Sequence, residues 1–218
     1  MLIAIEGIDG SGKSTLAPIL AEHLSLKPGQ QRGDKKSVTA ADKATAERAA
    51  ALRDLIWASD ETSGDTFGAT HWILLIASWY ASLARLRPDL APDAPGVTVM
   101  DGWYYRNVAK TLIREPFDPQ WVWSLFAPAP QPALVVLLDV EPATAWERRA
   151  QFKDTELGRW DGFTGPAREA FCGYQQLIRR HLLAMADQHD WLVIRPETGT
   201  GPRDTAHAIA AHVRATRP

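Results

Sequence analysis

A chain of 218 residues with 45% hydrophobic and 23% charged side chains is long enough for one sizeable α/β core and has ordinary globular composition. Its formal net charge of −2 at pH 7 excludes a broad electrostatic footprint for duplex nucleic acid, while leaving room for a local basic groove. The one cysteine, Cys172, excludes an internal disulfide and fits a reducing compartment.

The first residues, MLIAIEGIDG, have no basic stretch ahead of a long apolar core, so they do not read as a signal peptide. No run approaches the ~18 apolar residues that cross a bilayer. The expectation is a soluble, cytoplasmic protein with no membrane partner.

In chain order, residues 2–6 (LIAIE) are an apolar run that stops at glycine and reads as a buried strand. Residues 15–24 place Leu16, Ile19, Leu20 and Leu24 on one helical face. Residues 25–36 are polar, with Pro28, Gly29 and Gly33, and read as a loop in which a second strand is at best weak. Residues 40–56 read as an alanine-rich helix, 63–68 as a loop and 70–86 as a strongly apolar helix. VTVMD, residues 97–101, is a strand ending in a carboxylate. Helical patterns follow at 105–113 and 120–126, and a proline-rich run leads into a strand at 134–140.

Helices are then expected at 142–152 and 166–187, a strand at 191–194 and a closing helix at 207–214. Strands alternating with helices imply a parallel sheet covered on both faces. The expected fold is therefore a three-layer α/β domain with about five parallel strands, in one domain spanning 1–218, and the glycine-rich run that follows its first strand, Gly7 to Lys13 and Ser14, makes the expectation a P-loop kinase domain.

Gly7-Ile8-Asp9-Gly10-Ser11-Gly12-Lys13-Ser14 matches the pattern G-x-x-x-x-G-K-[ST] at every fixed position. Glycines let successive backbone N–H groups turn inward as an anion nest, and the helix that follows adds the positive end of its dipole. Lys13 then reaches the β- and γ-phosphates, and the Ser14 hydroxyl is a ligand for Mg²⁺. Residues 7–15, Thr15 included, form the expected ATP site. A guanine-reading N-K-x-D tetrad is absent from the chain.

With this loop, the strand carboxylate and an arginine-bearing segment in place, the chain resembles the thymidylate kinase family. The run Ile5 to Thr15 is close to that family's amino-terminal signature. Leu137-Leu138-Asp139-Val140 with Pro142 is similar to its L-D-V strand and helix start. Gly158-Arg159-Trp160-Asp161 stands where the family has its lid motif D-R-F-E, and Phe171 and Tyr174 fall like the aromatics of the next helix. The resemblance implies a lid at about 148–163, a homodimer through apolar helices, and contact of Asp9 with the acceptor or the metal shell.

The departures fall on the acceptor side. The family's D-R-Y reads Asp101-Gly102-Trp103, and its A-D-R corresponds to Ala77-Ser78-Trp79, which puts Leu75 at the base-stacking phenylalanine. Its T-R-E-P has no clear counterpart between Gln30 and Thr39.

Asp101 ends an apolar strand, where a carboxylate meets Mg²⁺ or orients the attacking hydroxyl; its bland alternative is a helix cap. Asp139 has similar surroundings, with a structural hydrogen bond as its alternative. Arg148, Arg149, Lys153 and Arg159 are the lid cations, Arg159 and Arg148 foremost, because a guanidinium bonds two phosphoryl oxygens at once. Trp79, Trp103 and Tyr104 are expected around the acceptor, with Arg106 as a substitute phosphate contact. Trp72, Trp123 and Cys172 read as core, and the histidines show no metal-ligand spacing.

The leading function is transfer of the ATP γ-phosphate to a nucleoside monophosphate with Mg²⁺. Loss of three arginines motivates an alternative acceptor hydroxyl on a nucleoside, modified base or specialised metabolite. A non-catalytic nucleotide-binding protein is the third reading, opposed by Lys13, Ser14 and Asp101 standing together.

Overall fold

The computed structural model describes residues 1–24, 33–38, 40, 42–57, 65–196 and 199–216. Apolar runs become the strands Leu2–Glu6 (β1), Thr98–Asp101 (β2), Leu134–Leu138 (β3) and Leu192–Ile194 (β4). They pair in parallel in the order β2-β1-β3-β4, with Ile5 opposite Asp101 and Glu6 opposite Leu137. The chain moves from β1 out to β2, then crosses to β3 on the far side of β1. The loop leaving β1 therefore opens into the crevice at that reversal, where parallel α/β sheets bind ligands.

The helices are Lys13–Leu24 (α1), Lys43–Trp57 (α2), Gly68–Leu86 (α3), Tyr105–Arg114 (α4), Pro119–Ser124 (α5), Pro142–Glu147 (α6), Asp154–Leu157 (α7), Ala167–Gln188 (α8) and Pro202–Thr216 (α9). Alternate residues of β1 feed two cores, as the two-residue strand period requires. Ile3 and Ile5 pack with Leu16 and Leu20 of α1 and with Ile209 and Val213 of α9. Leu2 and Ala4 face a second core with Ile73 of α3, Val108 of α4 and Ile178 of α8. Helix layers thus cover both faces of the sheet, which is why its strands are apolar runs without alternation.

The described sheet has four strands, not about five. The expected second strand is reduced to one parallel pairing of Gly33 with Met100, where the Gly33 N–H donates to the Val99 carbonyl at 2.9 Å. A Cβ on Gly33 would lie 2.6 Å from the Met100 sulfur and 2.8 Å from Thr98 Cγ2, so only glycine brings the backbone this close. Residues 25–32 of the expected loop, and 63 and 64 of the next one, lie outside the described residues. Elsewhere the expected elements form with shifted ends. α6 stops at Glu147 rather than 152, and α9 starts at Pro202 rather than 207.

Candidate active site

The motif Gly7–Ser14 forms a strand, turn and helix start, with Gly7, Gly10 and Gly12 all at positive φ. Lys13 folds back over the loop, its Nζ donating to the Gly7 carbonyl at 2.8 Å, the Ile8 carbonyl at 2.6 Å and Ser11 Oγ at 3.2 Å. Burial and the nearby Arg106 charge lower its pKa to about 8, although Asp9, Glu6 and Asp101 act in the other direction. Ser14 and Thr15 open α1 on the exposed side and line the cleft above the loop.

That cleft has a volume of about 1250 Å³ and is lined by eight lysines and arginines against four carboxylates. An excess of positive charge in a walled groove concentrates polyanions. Among the described residues no group of three His, Cys, Asp or Glu side chains is placed to cage an ion.

Asp9 is the charged centre of the floor. Arg106 of α4 pairs with its Oδ1, Lys110 lies 4.0 Å from Oδ2, and Gln175 of α8 donates to Oδ2 at 3.1 Å. The Asp9 N–H in turn donates to Gln175 Oε1 at 3.0 Å. Burial opposes the Asp9 charge, but Arg106, Lys110 and Lys13 with the Gln175 bond outweigh it and hold the carboxyl far below its usual range. Burial likewise works against the Arg106 charge, and Asp9, Glu6 and Asp101 more than compensate.

Asp101 and Trp103 line the same cleft from the end of β2. The Trp103 N–H donates at 2.7 Å to Glu6, a fully buried carboxylate at the end of β1. Lys35, from the segment beside β2, donates its Nζ to the Asp101 carbonyl at 2.9 Å.

The far wall is aromatic. Phe67, Trp72 and Trp160 line it, with the Trp72 and Trp160 rings 6.2 Å apart. Arg114, at the end of α4, ties this wall together. It pairs with Asp65, donates Nε to Asp161 at 2.6 Å and donates Nη2 to the Trp160 carbonyl at 2.9 Å. Asp65 Oδ1 also accepts from Trp72 Nε1 at 2.6 Å.

Arg148, after α6, sends Nη1 to the Ser11 carbonyl at 3.2 Å and lies over the phosphate loop, while Arg149 pairs with Glu156 at 2.8 Å. Both line the cleft, as does Lys153. Arg159 does not. Its guanidinium donates to the Phe163 and Gly165 carbonyls at 3.1 and 2.8 Å and fastens its own loop. The chain turns sharply around Arg159 at Gly158 and Gly162, which aims the side chain along the loop.

Of the residues expected around the acceptor, Asp9 and Arg106 reach the cleft; Trp103 borders it, but its side chain is 1% exposed and its Nε1 donates to the Pro130 carbonyl at 3.2 Å. Trp79 and Tyr104 do not: both are 1% exposed, with Trp79 Nε1 donating to the Lys35 carbonyl and the Tyr104 hydroxyl to Gln131. Leu75 is absent from the lining, where Trp72 and Ile76 stand instead. Trp72, read as core, is thus a wall residue. Asp139 takes its structural alternative, binding Arg179 and Arg195 at 2.5 and 2.8 Å away from the cleft. Lys35, Asn107, Lys110 and Gln175 carried no sequence expectation, and Trp160 stood in the expected lid motif without a role of its own. Only Lys110 left a signal, one helical turn from Arg106 on the same face of α4.

A family model described as thymidylate kinase matches residues 5–161. The chain belongs to the thymidylate kinase family. A probable thymidylate kinase of Methanothermobacter thermautotrophicus is 27% identical over 214 residues, covering 97% of this chain and 95% of that one. A thymidylate kinase of Caenorhabditis elegans is 31% identical over 151 residues, 68% of this chain and 66% of the relative. Among solved structures, the Candida albicans thymidylate kinase superposes with a TM-score of 0.65 at 18% identity, covering 98% of this chain and 91% of its own. A deoxyadenosine kinase from M. mycoides reaches a TM-score of 0.54 at 11% identity, with 100% of both chains covered. These two likenesses establish the fold, a parallel sheet flanked by helices as in a thymidylate kinase.

Proposed function

We propose that this member of the thymidylate kinase family transfers the γ-phosphate of ATP to a nucleoside monophosphate. The observation that carries the reading is one cleft joining the phosphate loop to Asp101, a cationic floor and an aromatic far wall. Lys13 leaves its carbonyl partners for the β- and γ-phosphates, while Arg148, already over the loop, meets charge that develops on the equatorial oxygens. Asp101 orients the acceptor. Such catalysis is positioning and electrostatics, with little covalent chemistry for the protein to perform.

The Ser14 hydroxyl and the Asp101 carboxylate are hard oxygen donors on the cleft lining, a set that suits Mg²⁺ shared with substrate phosphates rather than caged by protein. Bound there, Mg²⁺ supplies charge neutralisation to the β- and γ-phosphates. The finer expectations of a cytoplasmic homodimer rest on family likeness, with exposed Leu74 of α3 supplying apolar surface. Among the described residues no helix is long and apolar enough to cross a membrane.

The test is ADP release with ATP and Mg²⁺ across a panel of nucleoside monophosphates and the matching nucleosides. Turnover on at least one monophosphate is expected; turnover on nucleosides alone would make the acceptor a hydroxyl and sink the reading. The far wall adds a second expectation. Stacking of a base on an aromatic side chain contributes about 1–3 kcal/mol, so Trp72→Ala should raise the acceptor KM about tenfold or more and leave the ATP KM unchanged. An unchanged acceptor KM would remove the base from this wall.

A further inference from the structure

We propose that Lys35 is the side chain that binds the phosphate of the acceptor and so makes the site select a phosphate monoester. The inference rests on the nucleoside monophosphate reading above and names the residue that replaces the missing family arginines.

Three arrangements support it. The first concerns the cations that line the acceptor side of the cleft. Arg106 and Lys110 both lean on Asp9, and Lys36 lies over the Trp57 ring, 5.1 Å from its centroid. Lys35 lines the same cleft and takes part in no ion pair among the described residues. Its ammonium has three donors, of which one goes to the Asp101 carbonyl. Two donors remain for an anion, beside the carboxylate that orients the acceptor.

The second is the rigidity of its support. The segment 33–38 has no helix or strand of its own, yet its backbone is fastened repeatedly. Gly33 pairs with Met100, Trp79 Nε1 donates to the Lys35 carbonyl at 2.8 Å, and Arg87 Nη1 donates to the Asp34 and Ser37 carbonyls at 2.9 Å each. Trp79 stands where the resemblance expects an arginine against the acceptor. Its indole instead holds the loop that carries a lysine. A contact residue placed on a fixed loop keeps its geometry without the ordering cost of a mobile one.

The third is Gly102, where the family has the arginine next to its aspartate. This glycine sits at φ +73, and a Cβ built on it would lie 2.7 Å from Lys35 Nζ. The space that a side chain at 102 would need is filled by the Lys35 ammonium. Trp79, Gly102 and Lys35 thus form one arrangement, the first holding the Lys35 backbone and the second leaving room for its ammonium.

The experiment compares wild type with Lys35→Met and Lys35→Gln, the second keeping a donor for the Asp101 carbonyl without the charge. Tryptophan fluorescence measures the Kd of the best monophosphate acceptor and of its nucleoside, and ADP release gives the kinetics. Wild type should prefer the monophosphate. Both variants should bind it about thirtyfold more weakly, as loss of a charge-assisted hydrogen bond implies, with the nucleoside Kd and the ATP KM within about twofold of wild type. A retained preference for the monophosphate, or equal weakening of nucleoside and monophosphate, overturns the assignment and makes Lys35 a prop for β2. If wild type phosphorylates no monophosphate, the nucleotide-kinase reading falls first and takes this inference with it.

Discussion

Lys13→Met is expected to lower kcat about a thousandfold, because it removes the one ammonium that the phosphate loop aims at the migrating phosphoryl group. The fold should survive. Lys13 spends its free-state hydrogen bonds on the Gly7 and Ile8 carbonyls and Ser11 Oγ, all within its own loop, and an apolar side chain of similar length fills the same space. ATP binding should weaken less than kcat, since the loop's backbone donors and the α1 terminus remain. Coupled measurement of ADP release gives both parameters. A variant that kept a tenth of the wild-type kcat would remove Lys13 from the transition state.

The same residue sets an alkaline limit. Its pKa of about 8 in the free enzyme follows from burial and from Arg106 nearby, opposed by Asp9, Glu6 and Asp101. Above that pH the free enzyme loses the proton that binds phosphate, so kcat/KM for ATP should fall about tenfold per pH unit. Bound phosphates favour the charged form, so kcat itself should stay flat further into the alkaline range. ATP binding near pH 8.5 should accordingly take up protons, read by calorimetry in buffers of different ionisation enthalpy. Proton release on binding would contradict the assignment.

Arg114→Ala should cost about 3 kcal/mol of stability, because it strands two nearly buried carboxylates at once. The Asp65 and Asp161 side chains are 6% and 9% exposed, and Arg114 is paired with both. For a chain of 218 residues this corresponds to a fall in Tm of about 6–12 °C. The pH dependence has a definite sign. Burial opposes the Asp65 charge, but its bonds from Trp72, Phe67 and Gly68 together with Arg114 lower its pKa. A lowered folded pKa adds stability above the unfolded value that is lost as pH falls through the folded one. The difference between wild type and variant should therefore shrink below pH 4.

Adding Asp65→Asn and Asp161→Asn to Arg114→Ala should recover part of the loss, since the stranded charges go with their partner. Arg114 also fixes Trp160 through its carbonyl, so the single variant should raise the acceptor KM more than the ATP KM. A Tm within 2 °C of wild type would show that the network carries little.

What the sequence determined by itself is the phosphate loop. The phosphate loop is one uninterrupted run between an apolar strand and a helix, and each residue acts on backbone next to it. Local order was enough to place Lys13, Ser14 and the glycines. The four strands were legible for a related reason: burial on both faces of a parallel sheet writes each as a short apolar run. Asp101 was legible as the carboxylate closing such a run.

The rest of the cleft was decided only by tertiary structure. Asp9 meets Gln175 across 166 positions, and Trp79 meets Lys35 across 44. No spacing rule reaches that far. Composition alone could not separate Trp79, in the core, from Trp72 and Trp160, on the wall, because an indole suits either surface and its surroundings choose. Arg159 held the family's lid position, yet its side chain follows a left-handed turn at Gly158 into its own loop. The weak second strand hid Lys35 altogether. One glycine pairing carries its backbone to β2, and contact with distant side chains, rather than local pattern, sets that lysine beside Asp101.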